Sequence, residues 1–222
     1  MYVEIEAPRM EEYAQGFPSY WLKSIFIASV SSQYQVNALA STYVRLVEAA
    51  IVEYNMGVSK LQEFWSTHTS LNLGAMHRSG SHFETCLSNM YRATNCFRKL
   101  RRSQDALAVA LNTDKPVFAT DAVAARFKDM RNDIHHMEEL VIDGRIKAGD
   151  SFALRPDGPE TPHPSEAGQT IKKIDRLVIG SRELVFSELT TWLKEMAGVA
   201  EKIAVFGPAS TAELVENANP TP

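Results

Sequence analysis

Several features common in secreted, membrane or metal-bound proteins are scarce in this sequence. There are two cysteines, Cys86 and Cys96. If both lie on one helix, ten residues at ~1.5 Å rise hold them ~15 Å apart, beyond disulfide reach. They therefore read as small buried hydrophobes in a reducing compartment. No apolar run approaches the ~18 residues of a membrane-spanning helix; the best candidate, "IFIASV" at 25–30, is far too short. The first residues carry Glu4, Glu6, Glu11 and Glu12 against Arg9, so they lack the positive region of a secretory signal. Together these absences predict a cytoplasmic protein without a membrane partner. A net charge of −4 excludes a chain coated in basic residues for nucleic acid, although a local basic patch stays open. There is no CxxC, no HExxH, no G-x-S-x-G and no glycine-rich phosphate loop. No metal and no cofactor is expected.

What the sequence does contain is helical periodicity. At 222 residues, 45% hydrophobic and 23% charged, the chain can bury one sizeable core or two small ones. Residues 1–18 read as a loosely ordered lead-in with room for a short strand at 2–6, and a short helix fits 19–31. Val36, Leu39, Tyr43, Leu46, Val47, Ala50, Ile51, Tyr54, Val58, Leu61 and Trp65 advance by three and four, which predicts a long amphipathic helix. Gly57 weakens it locally without ending it. A second helix is predicted from about Ala75 or Ser81 to about Leu111. Pro116 punctuates the chain after it, and Thr120 is a candidate N-cap. A third helix over about 121–142 has Val123, Phe127, Met130, Ile134, Met137, Leu140 and Val141 as its stripe.

The pattern then turns to alternating and β-branched runs, predicting a β insertion of about three strands at about 144–186. Within it, "RLVIGSRELVF" reads as a hairpin with Gly180-Ser181 in a two-residue II′ turn. Prolines 156, 159, 162 and 164 mark an exposed connector. A fourth long helix covers about 187–206, and 207–222 is a frayed tail. The expectation is a mainly α protein: a helical body over 19–206, built as a bundle, with a small β-hairpin or three-strand insertion before the last helix. Tyr43, Tyr54, Trp65 and Trp192 are assigned to its core.

The third helix contains "RNDIHH", residues 131–136. Residues four apart share a helix face and residues five apart diverge by roughly 140°. Arg131 and His135 would then project together, while Arg131 and His136 converge only where the helix frays or faces a partner. On spacing alone, a solvated face with Arg131 paired to Glu138 or Asp133 ranks first.

The string resembles the R-x(4–6)-H signature of HEPN domains, with Arg131, Asn132 and His136 in the defining places. The position before the histidine, often apolar in minimal HEPN toxins, is His135. The layout is similar as well: a bundle of four to five helices with the motif late in the third. The resemblance implies a metal-independent ribonuclease of toxin or defence type, acting as a homodimer that joins two motifs in one cleft. In that reading His136 moves protons, Arg131 stabilises charge on the phosphorane, Asn132 supports, and His135 is the understudy. A neutralising antitoxin or regulatory protein would be a further partner. Some HEPN toxins are modified on a tyrosine two places after the histidine; here that place is Glu138. The alternative is a non-catalytic helical module that uses the same surface to bind a protein or nucleotide.

Three other groups of residues offer chemistry. Arg92, Arg98, Lys99, Arg101 and Arg102 form an RNA-backbone track if their face adjoins Arg131, and a solvated helix face otherwise. His82 and Cys86 have an i, i+4 spacing that metals use, but two ligands make no site. "RSGSH" at 78–82 reads as a helix-start loop, with anion binding as the alternative.

Overall fold

The computed structural model describes residues 1–23, 30–66, 72–147 and 150–206. The run at 25–30, the end of the 19–31 helix, the loop at 67–71 and the tail lie wholly or largely outside them. Two short helices, α1 (Glu11–Ala14) and α2 (Phe17–Trp21), precede α3 (Tyr34–Ser66). The three-and-four pattern of α3 predicts what is buried: Val36, Tyr43, Val47, Ile51, Tyr54, Val58 and Leu61 all face the core.

The second helix, α4 (Leu73–Leu100), starts where the Asn72 side chain accepts the Ala75 N–H at 3.1 Å. It runs antiparallel to α3. The glycine in α3 has a packing role: a Cβ on Gly57 would lie 2.9 Å from the buried Phe83 ring. One turn earlier on α4, Ser79 donates to the Gly57 carbonyl at 2.8 Å.

The predicted helix to Leu111 is two helices. After Leu100 the chain leaves α geometry, and Asp105 sits extended, accepting from the Leu107 N–H at 2.8 Å to start α5 (Ala106–Asn112). The polar run of 101–105 supplies side chains that bond the local backbone in place of the helix. The next long helix, α6 (Asp121–His135), is capped by Thr120 and preceded by a 3-10 turn over Val117–Ala119. It too is shorter than predicted, because the chain kinks at His136 before α7 (Met137–Ile142). The last helix is α8 (Phe186–Val205).

Helices α3, α4, α6 and α8 lie side by side in alternating directions around one core. Tyr43 donates to the Met196 carbonyl at 3.1 Å, Tyr54 and Phe83 both meet Phe186, and Phe127 meets Trp192 edge-on. Trp65 packs on the same core, half-buried.

The insertion is richer than three strands. Strands β2 (Ser151–Asp157), β5 (Arg176–Gly180) and β6 (Arg182–Val185) make one antiparallel sheet in the order β2-β5-β6. The second sheet has the order β1-β4-β3, where β3 is Glu160–Pro162 and β4 is Thr170–Ile174. Its other edge, β1 (Tyr2–Ile5), comes from the lead-in and pairs parallel with β4. Ile179 opposes Arg182 across Gly180-Ser181, and only Gly180 has positive φ, +53°, as a II′ turn requires. The prolines are less of a loop than expected, since Pro156 and Pro162 both lie in ladders. Both strands are sheet edges, where a missing N–H costs no ladder bond.

Candidate active site

Helix α6 divides its polar side chains between three directions. Toward α8, Arg126 grips Glu188 with two bonds of 3.1 Å and lies over the Trp192 ring. Toward the hairpin, Asp129 and Asp133 hold Arg182 at 3.3 and 2.6 Å. Toward α4, the Arg131 guanidinium carbon stands 5.4 Å from the centre of the Tyr91 ring. Arg131 pairs with neither Asp133 nor Glu138, the partners that helix spacing suggested, because Asp133 is committed to Arg182.

Asn132 is half-buried and His135 exposed. Among the described residues, no hydrogen bond or ion pair engages the side chains of Arg131, Asn132 or His135. His136 occupies the kink itself, with φ −120° and ψ 23°. Its backbone N–H still reaches the Asn132 carbonyl at 2.9 Å, but its dihedrals leave the helix. The angle of roughly 140° expected for a five-residue step on a continuous helix therefore does not apply to it. The His136 Nδ1 lies 3.2 Å from Glu139 Oε2 on the exposed surface. The structure thus places the four motif residues on one short stretch of surface at the C-terminal end of α6. It shows no hydrogen bond between Arg131 and either histidine.

The basic cluster on α4 does not stay together. Arg98 is bound to the Ala119 carbonyl and, at 2.7 Å, to Asp121 at the start of α6. Arg101 donates to Asn112 at 2.7 Å and caps the Phe97 ring. Both hold the fold. Arg92, Lys99 and Arg102 are exposed. Arg92 and Lys99, with Arg45 from α3, surround half-buried Cys96, whose thiol burial pushes up against the pull of those cations. Arg92 directly follows Tyr91, a step of about 100° around the helix, so Arg92 turns away from Arg131. The predicted track is split over two faces.

His82 bonds Glu53 of α3 at 2.7 Å, while Cys86 is buried against Met90. They form no metal pair, and among the described residues no three His, Cys, Asp or Glu side chains gather as a metal site would. "RSGSH" lies inside α4 rather than in a loop before it. Its Gly80 permits close approach instead, since a Cβ there would lie 2.8 Å from the Leu154 carbonyl of β2.

That approach creates a feature the sequence reading missed. A cleft of about 320 Å³ opens between α4 and β2, lined among others by His77, Ser81, Glu84, Ser151, Phe152 and Arg155. Burial pushes the Glu84 carboxyl up. The i, i+4, i+7 spacing of His77, Ser81 and Glu84 was a usable signal, but nothing in the sequence said that β2 would roof it. The motif residues line neither this cleft nor the hollows beside Lys202 and beside Pro8.

Among the described residues no helix is long and apolar enough to cross a membrane. In comparisons with protein-family models, curated proteins and solved structures, nothing matches this chain.

Proposed function

We propose that the chain is a HEPN-type endoribonuclease, of toxin or defence kind, that cleaves RNA without a metal as a homodimer. One observation carries this reading. Arg126, Asp129 and Asp133 on α6 are tied into the fold, whereas among the described residues the side chains of Arg131, Asn132 and His135 have no hydrogen-bond or ion-pair partner and His136 has only exposed Glu139. Polar groups left without structural work, on a rigid helix end, are the ones available for a substrate.

The chemistry follows from the residue types. One imidazole removes the 2′-hydroxyl proton, and the freed oxygen attacks the adjacent phosphorus. A second group protonates the departing 5′-oxygen, leaving a 2′,3′-cyclic phosphate. Arg131 meets the charge that builds on the phosphorane oxygens with a fork of donors. Glu139 orients the His136 ring by accepting from Nδ1–H. Base and acid must be separate groups, so a second copy of the motif across a dimer seam completes the site.

The second reading, a non-catalytic module for a protein or nucleotide, draws on Glu138 and Glu139, whose charges repel an RNA backbone beside the histidines. Purified protein incubated with mixed RNA in EDTA decides between them, beside the Arg131→Ala, His136→Ala double variant. Cleavage by the wild type alone supports the nuclease. Equal RNA integrity in both tubes ends that proposal, and a light-scattering mass near 24.7 kDa at micromolar protein removes the composite site.

A further inference from the structure

His77, Glu84, Tyr91 and Arg98 recur every seven residues along α4. A seven-residue step returns to nearly the same face of a helix, so the four form one stripe. The lower half of the stripe carries α6: Arg98 binds Asp121 at its start and Tyr91 lies under Arg131 near its end. Because α6 runs antiparallel to α4, its C-terminal end points toward the upper half. There the stripe is bare of α6, and β2 leans over it instead, making the cleft that holds His77 and Glu84. Glu84 is two helical turns, about 10 Å, from Tyr91 along the axis. The cleft and the motif are neighbours on one continuous surface.

The lining of the cleft defines a ligand. Asp150 at its rim accepts the Lys147 N–H at 3.2 Å, and Arg155 is paired with Asp157 at 3.0 Å. Glu84 has no such partner among the described residues, and its half-buried position pushes its carboxyl up. Such a group gains most from a ligand that offers two parallel N–H donors. Phe152, at the same mouth, is 72% exposed, a flat apolar face turned to solvent. A carboxylate facing inward beside an open aromatic ring is the combination that reads an unpaired nucleobase, by edge hydrogen bonds and stacking. Among the bases, guanine presents adjacent N1–H and N2–H donors to a single carboxylate. Adenine sets an acceptor beside its donor, and uracil places its single N–H between two carbonyls. His77, exposed and with no side-chain partner among the described residues, can donate to the guanine O6.

We propose that the α4–β2 cleft is a guanine subsite that seats one base of single-stranded RNA next to the motif, with Glu84 reading its Watson–Crick edge and Phe152 stacking on it. The assignment rests on the ribonuclease reading for its substrate, but binding of the base is separable from cleavage. Calorimetric titration of the full chain with 5′-GMP, 5′-AMP, 5′-CMP and 5′-UMP tests it. GMP should bind at least about tenfold more tightly than the others, and both Glu84→Gln and Phe152→Ala should erase that preference. Neither change removes a bond that holds the fold, so melting temperatures should stay near the wild-type value. Equal binding of the four nucleotides, or GMP binding untouched by Glu84→Gln, overturns the subsite. RNA cleavage without guanine preference would sink the subsite and leave the nuclease standing; tight GMP binding by a protein that cuts no RNA would do the reverse.

Discussion

The Arg131 guanidinium lies over the face of Tyr91, 5.4 Å from the ring centre. The ring comes from α4 and the cation from α6, so the contact fixes where the guanidinium proposed to meet the phosphate stands relative to the bundle. It does so without an opposing charge that a phosphate would have to displace.

Tyr91 is accordingly expected to position Arg131. A cation–π contact at a partly exposed site is worth about 0.5–1 kcal/mol, so Tyr91→Leu should slow RNA cleavage several-fold with a small change in melting temperature. Tyr91→Phe retains the ring and should restore the rate. Single-turnover cleavage of one RNA by the three proteins decides it. A leucine variant as fast as wild type would show that the ring does not hold the arginine for catalysis.

The two histidines should separate clearly. His136→Ala is expected to cost about 10²-fold or more in rate, the scale of lost general acid–base catalysis, and His135→Ala much less. The kink supports that order, since it frees His136 from the helix while His135 remains its last residue. A dead His135 variant beside an active His136 variant would reverse the assignment.

Tyr43 and Tyr54 are both fully buried on α3, but only one hydroxyl is bonded. Tyr43 reaches the Met196 carbonyl; Tyr54 Oη has no partner among the described residues. Burying an unpaired hydroxyl costs about 1–3 kcal/mol. Tyr54→Phe should therefore leave stability unchanged or raise it, while Tyr43→Phe lowers it by about 1 kcal/mol. Urea unfolding of both variants is the check, and a Tyr54→Phe protein less stable than Tyr43→Phe would contradict it.

Asp157 ties the two sheets together through Lys172, at 2.6 Å. Burial pushes its carboxyl up, but the Lys172 ammonium, the Gly158 N–H and nearby Arg155 outweigh that and hold it below the usual range. A folded-state value below the unfolded one means stability that is present above the unfolded pKa, about 3.9, and lost as pH falls through the folded value. Asp157→Asn should thus be less stable than wild type at pH 7, by about 1.5 kcal/mol for a charged hydrogen bond, and the gap should narrow as the pH falls below the unfolded value. A gap that is constant with pH would dismiss the ion pair as its cause.

The parts of the structure that were legible in the sequence are local ones. The stripe of α3, the Thr120 cap and the Gly180-Ser181 turn each depend on residues within a few positions of each other, and each was found where expected. The break after Leu100 was not, because Leu107 and Leu111 continue an apolar pattern across it while Asp105 decides the backbone. The pairing of β1 with β4 joins residues 2–5 to 171–174, which no window of sequence can show. For the site, the motif residues could be named, but not that Asp133 would be drawn away to Arg182 and leave Arg131 to Tyr91. The basic cluster looked continuous in sequence because adjacent letters hide the 100° turn between Tyr91 and Arg92.

The parallel ladder between β1 and β4 has a consequence for how the chain is made. Residues 2–5 leave the ribosome well before their partner strand, which follows the long helices α3, α4 and α6. Closing so long a loop carries a large entropic cost until the helices have already brought its ends near. Docking of the first strand is therefore expected as a late event, after the bundle has condensed. Until it docks, Thr170–Ile174 lies open along one side, a free strand edge able to recruit another chain. Deleting residues 1–6 would make that exposure permanent, turning a passing hazard of synthesis into a standing tendency to aggregate.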